Sequence, residues 1–257
     1  MPTNKSLGQH WLKDRLVLAG IADEAGITSN DTVLEIGPGL GTLTSELLRR
    51  AKNVIAVELD KNLAEKLPGQ FPGKNLEVVN QDILTFDLTI LPKKYIVVAN
   101  VPYYITSKII QLLTTSANPP KKIVLLVQKE VAERLAAEPG DMSILSVSAQ
   151  LYADVTLGEV VPAAYFTPPP KVDSQVVILT MLTAPRVAEP MQKAFFQVVK
   201  AGFSARRKKL RSSLSSGLRI SKADVEVLLE ESGISPDVRA ETLSINDWIR
   251  LVRSISR

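Results

Sequence analysis

TVLEIGPGLGTLTSELL, residues Thr32–Leu48, is the stretch that decides the fold of this 257-residue chain. It begins with an apolar run, places Gly37, Gly39 and Gly41 within five residues, and continues with leucines at helical spacing. This order predicts a strand, a tight turn and a helix. Glycines at such a turn let a ligand lie against bare backbone, because a Cβ atom would hold the ligand away.

A second polar strand end follows the glycines. Val54–Glu58 is another apolar run, and its acidic last residue stands about 20 residues after the turn. A carboxylate there can accept hydrogen bonds from both hydroxyls of a ribose. The glycine spacing is G-x-G-x-G, since Thr42 stands where a dinucleotide motif has its third glycine. The pattern predicts a nucleoside cofactor and favours S-adenosylmethionine over NAD; a purely structural glycine turn is the alternative.

Strand and helix patterns alternate through the first 137 residues. They predict strands at Val33–Ile36, Val54–Glu58, Leu76–Val79, Tyr95–Ala99 and Ile123–Val127, and helices over 40–50, 60–67, 104–115 and 128–137. Such alternation predicts an α/β fold with a Rossmann-like, mostly parallel sheet and helices on both faces. Because ligands lie at the carboxyl ends of parallel strands, we expect Gly37, Glu58, Asp82 and Asn100 to meet in one crevice.

The pattern changes after Asp141. A helix is predicted over Ser143–Tyr152, followed by extended segments at 154–160 and Gln175–Leu182 that could pair as an antiparallel edge of the sheet. From Pro185 onwards the apolar residues recur with helical spacing. We therefore expect two domains, a catalytic domain over residues 1–184 and a small all-helical domain over residues 185–257.

Residue composition excludes several kinds of site. The chain has no cysteine, so it holds no disulfide, thiolate zinc site or cysteine nucleophile, and His10 is its only histidine. We therefore predict neither a Ser-His-Asp triad nor a metal. No run reaches the roughly 18 apolar residues of a membrane span, and the first residues lack the apolar stretch of a signal peptide. These features predict a cytoplasmic protein with no membrane partner.

Positive charge is concentrated on the C-terminal side. Residues 1–185 contain 17 Lys and Arg against 19 Asp and Glu, whereas residues 186–257 contain 14 against 8. A basic appendage of this kind is typical of polyanion binding, with a solvated charge run as the alternative. The densest cluster follows the apolar Phe195–Phe203 segment, and we expect its cations to bind RNA through phosphates and 2′-hydroxyls. These cations are Arg206, Arg207, Lys208, Lys209 and Arg211.

The tetrapeptide Asn100-Val101-Pro102-Tyr103 follows the predicted strand Tyr95–Ala99. An uncharged amide, a proline-stiffened backbone and an aromatic ring suit the presentation of a flat, amine-bearing base to a methyl sulfonium. If the adenine amine donates its hydrogens to the Asn100 side-chain oxygen and the Val101 carbonyl, charge that develops on nitrogen is stabilised. Tyr103 would stack on the ring. An Asn-x-Pro turn that only ends a strand is the alternative.

These motifs together resemble the ribosomal RNA adenine N6,N6-dimethyltransferases of the KsgA type, with the erythromycin-resistance methylases as near relatives. The resemblance covers nearly the full length. Leu7-Gly-Gln-His-Trp-Leu12 resembles the family's N-terminal cofactor motif, with His10 and Trp11 where Asn and Phe are commoner. Asn100–Tyr103 is similar to the Asn-Leu-Pro-Tyr catalytic motif. Phe166–Val177 resembles the later motif whose Phe helps to clamp the target adenine.

The resemblance implies a reaction and a set of site residues. S-adenosylmethionine is implied as the methyl donor, and two adjacent adenines near the 3′ end of small-subunit rRNA as the acceptors. The implied cofactor-binding residues are Gln9, His10, Leu12, Glu35, Gly37, Gly39, Glu58, Leu59, Asp82, Ile83 and Asn100. The implied catalytic residues are Asn100, Val101, Pro102, Tyr103 and Phe166. The implied partners are small-subunit rRNA and the immature 30S ribosomal particle, and we expect a monomer.

Two segments distinguish the housekeeping branch of this family from the resistance branch. Residues 169–177 and 203–211 look like the dimethyltransferase versions, so we favour methylation of small-subunit rRNA during ribosome biogenesis. Resistance-type methylation of a large-subunit adenine is the first alternative. The second alternative is an assembly factor that acts mainly by binding an immature small subunit.

Overall fold

The computed structural model describes residues 10–205 and 207–255, which form two compact units. The first unit contains the described part of Met1–Glu133 together with Ala153–Leu182. The second contains Arg134–Tyr152 and the described part of Thr183–Arg257. This division places the segment 134–152 and residues 183–184 in the second unit, and the domain boundary expected after residue 184 stays a prediction.

Two sets of paired strands form the framework of the first unit. The described strands are β1 (Trp11–Leu12), β2 (Thr32–Ile36), β3 (Asn53–Glu58), β4 (Leu76–Asn80), β5 (Ile96–Asn100), β6 (Lys122–Gln128), β7 (Ala153–Val161), β8 (Phe166–Thr167) and β9 (Ser174–Met181). The main sheet has the order β4-β3-β2-β5-β6-β9-β7. The first five strands in this order, from β4 through β3, β2 and β5 to β6, run parallel to one another. Strand β9 is antiparallel to both of its neighbours, β6 and β7. The predicted parallel sheet and its antiparallel edge are confirmed.

The helices of the first unit alternate with the parallel strands. They are α1 (Arg15–Glu24), α2 (Thr42–Leu47), α3 (Lys61–Lys66), α4 (Thr106–Thr114) and α5 (Lys129–Leu135), of which α5 reaches into the second unit. The helix predicted over 40–50 is shorter than expected. It begins only at Thr42, because Gly41 caps it with a left-handed φ of +79°, which a right-handed helix does not contain.

The centre of the sheet is buried on both faces. Ile96, Val97, Val98 and Ala99 of β5 are fully buried, as expected for parallel strands covered by helices on each side. Asn100 follows them at the carboxyl end of the strand. Glu58 likewise ends β3, so both polar side chains stand at the carboxyl edge of the sheet, where a ligand can meet them.

Strands β1 and β8 form a separate two-stranded ribbon. Trp11 lies opposite Thr167, and Leu12 lies opposite Phe166. Leu12 and Phe166 are 2% and 3% exposed and belong to the core of the first unit. This ribbon is not predictable from the sequence, because strands of two residues are too short to show a hydrophobic period.

The second unit is helical. Its helices are α6 (Ile144–Gln150), α7 (Glu189–Gly202), α8 (Leu210–Leu218), α9 (Lys222–Glu231) and α10 (Ile245–Ile255). Trp248 is fully buried in it, and its indole lies so near Gly202 that an added Cβ would stand 2.4 Å away. The amides of Gly140 and Met142 both donate to the Glu241 carbonyl, which ties the segment 134–152 to this unit. No described helix is long and apolar enough to cross a membrane.

Candidate active site

The glycine turn after β2 is left-handed at three positions. The φ angles of Gly37, Gly39 and Gly41 are +66°, +56° and +79°. A Cβ atom at Gly39 would stand 2.3 Å from the Trp11 ring, whereas one at Gly37 would meet no atom within 4 Å. Gly37 lines the cavity at the carboxyl edge of the sheet. The turn therefore offers a ligand an approach to bare backbone.

Glu58, at the end of β3, is held by two backbone amides. The Gly39 N–H donates to its Oε2 at 3.0 Å, and the Asp60 N–H donates to its Oε1 at 2.8 Å. Burial raises the pKa of the Glu58 carboxyl, while these two hydrogen bonds lower it. Each carboxylate oxygen accepts about two hydrogen bonds, so the group can still receive further donors.

Glu35 is a second buried carboxyl, inside β2. Thr44 Oγ1 donates to its Oε2 at 2.6 Å, and the residue is 1% exposed. Burial raises the pKa of Glu35 to about 8; the Thr44 bond opposes this shift and the nearby charge of Glu58 adds to it. This shift favours the protonated carboxyl, whereas a cationic group placed beside it would favour the carboxylate.

Asp82 stands just after β4. Its Oδ1 accepts a hydrogen bond from the Leu84 N–H at 2.9 Å, which caps the short 3-10 helix Ile83–Thr85. Asn80 Nδ2 donates to the Glu58 carbonyl at 2.9 Å and so joins the ends of β4 and β3. Asp82 and Glu58 consequently line the same cavity from neighbouring strands.

Asn100 and Tyr103 are both fixed by partners distant in sequence. Asn100 Nδ2 donates to the His10 carbonyl at 3.5 Å, and among the described residues none donates to Asn100 Oδ1. The Tyr103 hydroxyl shares a hydrogen bond of 2.7 Å with Ser174 Oγ, and burial raises the pKa of this phenol. A neutral acceptor and an aromatic face are thereby presented together, an arrangement that can hold an amine-bearing base.

One cavity collects most of the predicted site residues. Those that line it are His10, Leu12, Glu35, Gly37, Gly39, Glu58, Leu59, Asp82, Ile83, Asn100, Val101, Pro102 and Tyr103. Gln9 lies outside the described residues. As expected, the cavity is lined by Gly37, Glu58, Asp82 and Asn100 at one edge of the sheet. Their roles as ligand contacts stay predictions. No group of three or more potential metal ligands was found among the described residues.

Phe166 is a predicted site residue that does not line this cavity. Its side chain is buried in the core opposite Leu12. Among the lining residues that were not predicted are Trp11, Gln81 and Tyr104. Each is adjacent in sequence to a predicted residue, and this adjacency is the signal that could have found them. Trp11 Nε1 is buried, and no described residue forms a hydrogen bond with it.

The basic segment, defined here as residues 207–211, lies in the second unit just before and at the start of α8. Lys209 Nζ is 2.8 Å from Asp237, and Arg211 Nη1 is 2.7 Å from Glu226. Arg207 and Lys208 are exposed, and neither forms an ion pair within the described part of the chain. Arg206 lies outside the described residues. The segment is therefore not one uniform run of available charge.

Comparison with known proteins identifies the family. Residues 2–257 match the family described as "Ribosomal RNA adenine dimethylase". The chain belongs to this family. The ribosomal RNA small subunit methyltransferase A of Dehalococcoides mccartyi is 43% identical over 248 residues, which are 95% of this chain and 85% of that protein. The protein of the same name from Clostridium botulinum is 43% identical over 254 residues, or 96% and 92% of the two chains. The predicted family is thus confirmed.

Two solved structures are similar to this chain over most of their length. A dimethyladenosine transferase from Plasmodium falciparum has a TM-score of 0.82 and 30% identity, and the match covers 94% of this chain and 96% of that chain. The 23S rRNA methyltransferase ErmE has a TM-score of 0.80 and 30% identity, with 96% and 100% covered. The predicted fold class is confirmed, and the chain is an enzyme of the dimethylase family.

Proposed function

We propose that this enzyme transfers methyl groups from S-adenosylmethionine to the N6 atoms of two adjacent adenines near the 3′ end of small-subunit (16S) rRNA. The observation that carries the proposal is the placement of Asn100. Its amide is oriented by the His10 carbonyl, and its oxygen shares one cavity with the glycine turn and Glu58. This cavity combines a place for a nucleoside cofactor with a neutral acceptor for an amine.

The residues present fit S-adenosylmethionine, which would supply an electrophilic methyl group on a sulfonium. Gly37 leaves open space beside the backbone, and Glu58 is pre-oriented by two amides to accept ribose hydroxyls. Glu35 can balance an ammonium group of the ligand by ionising. Trp11 Nε1–H is a buried donor that has no acceptor among the described residues, a state that a polar ligand atom would relieve.

The chain's own residues would act on the base by orienting it. Asn100 Oδ1 and the Val101 carbonyl would accept hydrogen bonds from the two N–H groups of the adenine amine. These hydrogen bonds would increase the electron density on the amine nitrogen, whose lone pair is otherwise delocalised into the ring. Tyr103, anchored through Ser174, would fix the plane of the base. No protein base is needed, because the amine becomes acidic once it is alkylated and its proton can pass to water.

Relatedness supports the small-subunit substrate over the large-subunit alternative. The curated small-subunit methyltransferases cited above are 43% identical to this chain, whereas the 23S methyltransferase ErmE is 30% identical. The sequences of residues 169–177 and 203–211 support the same choice. The implied role is modification of 16S rRNA in an immature 30S particle by a monomeric enzyme.

The decisive experiment uses both ribosomal RNAs. Unmethylated small-subunit particles and protein-free 23S rRNA are incubated with the enzyme and S-adenosylmethionine, and the RNA is then analysed by primer extension and nucleoside mass spectrometry. We expect N6,N6-dimethyladenosine at two adjacent positions near the 3′ end of 16S rRNA. Modification of 23S rRNA alone would establish the resistance-type alternative.

A binding role in assembly is the second candidate, and the exposed Arg207 and Lys208 favour it because they have no ion pair in the described chain. We propose that the helical second unit docks on rRNA through this basic segment. An Asn100→Ala variant expressed in cells that lack the enzyme separates the two roles. Full correction of small-subunit maturation by this variant would indicate that binding is the main contribution.

A further inference from the structure

The hydroxyl of Tyr103 is bonded to a strand that lies 71 residues away in the sequence. It shares a hydrogen bond of 2.7 Å with Ser174 Oγ, at the start of β9. Within the described part of the chain, neither hydroxyl has a second hydrogen-bond partner. Ser174 is fully buried, whereas Tyr103 lines the cavity that contains Asn100. The hydroxyl end of Tyr103 is therefore held by the protein, in a residue that otherwise borders the space for a ligand.

The direction of β9 explains how a serine comes to lie beside this cavity. Because β9 is antiparallel to β6, it begins at the edge where β5 and β6 end, and its first residue, Ser174, lies opposite the last residue of β6. Leu126 lies opposite both Asn100 and Val176. Since side chains alternate along a strand, Ser174 faces the same side of the sheet as Val176, and therefore as Asn100. The antiparallel strand thus places a hydroxyl on the side of the sheet to which Asn100 belongs.

The backbone around Ser174 is tied at several points. Ser174 pairs with strands on both sides, β6 and β7. The carbonyl of Asp173 accepts a hydrogen bond from the Lys129 N–H at 3.0 Å, and Asp173 Oδ1 accepts one from the Ala163 N–H at 2.9 Å. A hydroxyl on so fixed a backbone is a firm anchor, so the hydrogen bond restrains the Tyr103 ring more than it displaces Ser174.

The Tyr103 hydroxyl has no acid–base task in the transfer. Burial raises the pKa of this phenol above its usual value, and the hydrogen bond to Ser174 opposes the shift without cancelling it. A phenol with a raised pKa stays protonated at neutral pH and accepts no proton from the amine. Loss of the amine proton to water, as proposed above, needs no phenol either. The hydrogen bond to Ser174 is what remains for this hydroxyl to do.

We propose that Ser174 is a positioning residue for the target adenine and that the Tyr103 hydroxyl acts on the reaction only through Ser174. This inference rests on the proposed function and deepens it by assigning the role of β9. The hydrogen bond fixes the plane of the Tyr103 ring, and so the angle at which the amine of a stacked adenine meets the methyl group. Each hydroxyl therefore contributes to the rate only while the other is present.

A double-mutant cycle tests this mutual dependence. Ser174→Ala and Tyr103→Phe should each lower the single-turnover rate of methyl transfer by about three- to tenfold, the scale of one buried hydrogen bond. The Kd for S-adenosylmethionine should stay within about twofold of wild type in calorimetry. The double variant should lose no more rate than either single variant. Losses that multiply in the double variant would show two independent roles and overturn the inference, as would a wild-type rate in Ser174→Ala.

Two further variants separate positioning from general stability. Ser146→Ala removes another fully buried serine hydroxyl, one that donates to the Ser143 carbonyl at 2.9 Å in the second unit. It should lower the melting temperature and leave the transfer rate unchanged; a rate loss equal to that of Ser174→Ala would overturn the inference. Tyr103→Ala removes the ring itself and should lose far more rate than Tyr103→Phe. Equal losses in these two variants would show that the ring plane is not what Ser174 controls.

A measurement without RNA tests the anchor directly. In protein labelled with ¹³C at the tyrosine ζ-carbons, the one of five signals that is missing from Tyr103→Phe belongs to Tyr103. Ser174→Ala should shift this signal more than the other four, and Ser146→Ala should leave it in place. No shift in Ser174→Ala would overturn the inference whatever the enzyme methylates.

Failure of the proposed function is distinguishable from failure of this inference. The cycle is measured on whichever rRNA the wild-type enzyme modifies, so modification of 23S rRNA would reject the proposed substrate and leave the test of Ser174 intact. Methylation of neither rRNA would reject the proposed function, and the ζ-carbon signal would still decide whether Ser174 holds Tyr103.

Discussion

The strand-end cavity and the basic segment hold their polar groups in opposite ways. In the cavity, groups from separate stretches of the chain meet, and backbone donors orient Glu58 while Asn100 Oδ1 stays available. In the basic segment, neighbours in sequence are partly compensated within their own unit, since Lys209 and Arg211 pair with Asp237 and Glu226. Convergence of distant residues is thus a stronger indication of a site than a run of like charges.

Removing Asn100 is expected to have the largest effect. Asn100→Ala should lower the rate of methyl transfer by on the order of 10²-fold or more, because it deletes an oriented acceptor that acts in the transition state. Cofactor affinity should change much less. The matched control is Asn118→Ala, since Asn118 Nδ2 donates to the carbonyls of Leu88 and Leu91 in the core. Single-turnover kinetics in which both variants lose rate equally would contradict the assignment of Asn100.

Replacement of Glu58 tests the cofactor side of the cavity. Glu58→Ala should weaken S-adenosylmethionine binding by about 10- to 150-fold, or roughly 1.5–3 kcal/mol, because a charged acceptor is lost. It should also lower thermal stability, since the amides of Gly39 and Asp60 lose their acceptors. Calorimetry is the measurement, and Glu77→Ala on the exposed side of β4 is the control. Equal affinities for the two variants would rule out the ribose contact.

The basic segment contains two cations without an ion pair in the described part of the chain, Arg207 and Lys208, and two paired cations, Lys209 and Arg211. Arg207 and Lys208 changed together to Ala should reduce the salt dependence of binding to small-subunit particles by roughly 0.7–0.9 log units per lost phosphate contact. Lys209 and Arg211 changed together should have a smaller effect on the salt slope, because each is already neutralised in part. Filter binding over a range of KCl concentrations measures both slopes. A larger effect of the second pair would show that the ion pairs open on RNA.

The raised pKa of the Glu35 carboxyl predicts a smaller effect, a dependence of the free energy of unfolding on pH. Because its pKa in the folded protein is raised from 4.5 to about 8, the folded state binds the proton more tightly than the unfolded chain. The free energy of unfolding should therefore fall as the pH rises from about 4.5 towards 8. Glu35→Gln cannot ionise and should lack this decline, so its advantage over wild type grows with pH. Urea denaturation at pH 5, 6, 7 and 8 measures this, with Glu77→Gln as the control; parallel curves would contradict it.

The sequence predicted the sheet and much of the cavity because both depend on short-range patterns. The apolar runs of β2, β3 and β5 and the residues at their ends follow from chain order once the sheet is parallel. The placement of Phe166 could not be predicted in this way. It depends on the β1–β8 register, a pairing of residues far apart in sequence in strands too short to show a period. The same holds for the pairing of Arg211 with Glu226, which brings together two separate helices.

The two tryptophans of the chain are distributed one to each unit. Trp11 lies against Gly39 at the cavity, and Trp248 is buried beside Gly202 among the helices. Their fluorescence therefore reports on different events. In a Trp248→Phe variant all indole emission would come from Trp11, whose buried Nε1–H makes its wavelength sensitive to any polar group that enters the cavity. The enzyme thus carries its own optical probe of ligand binding, without an attached dye.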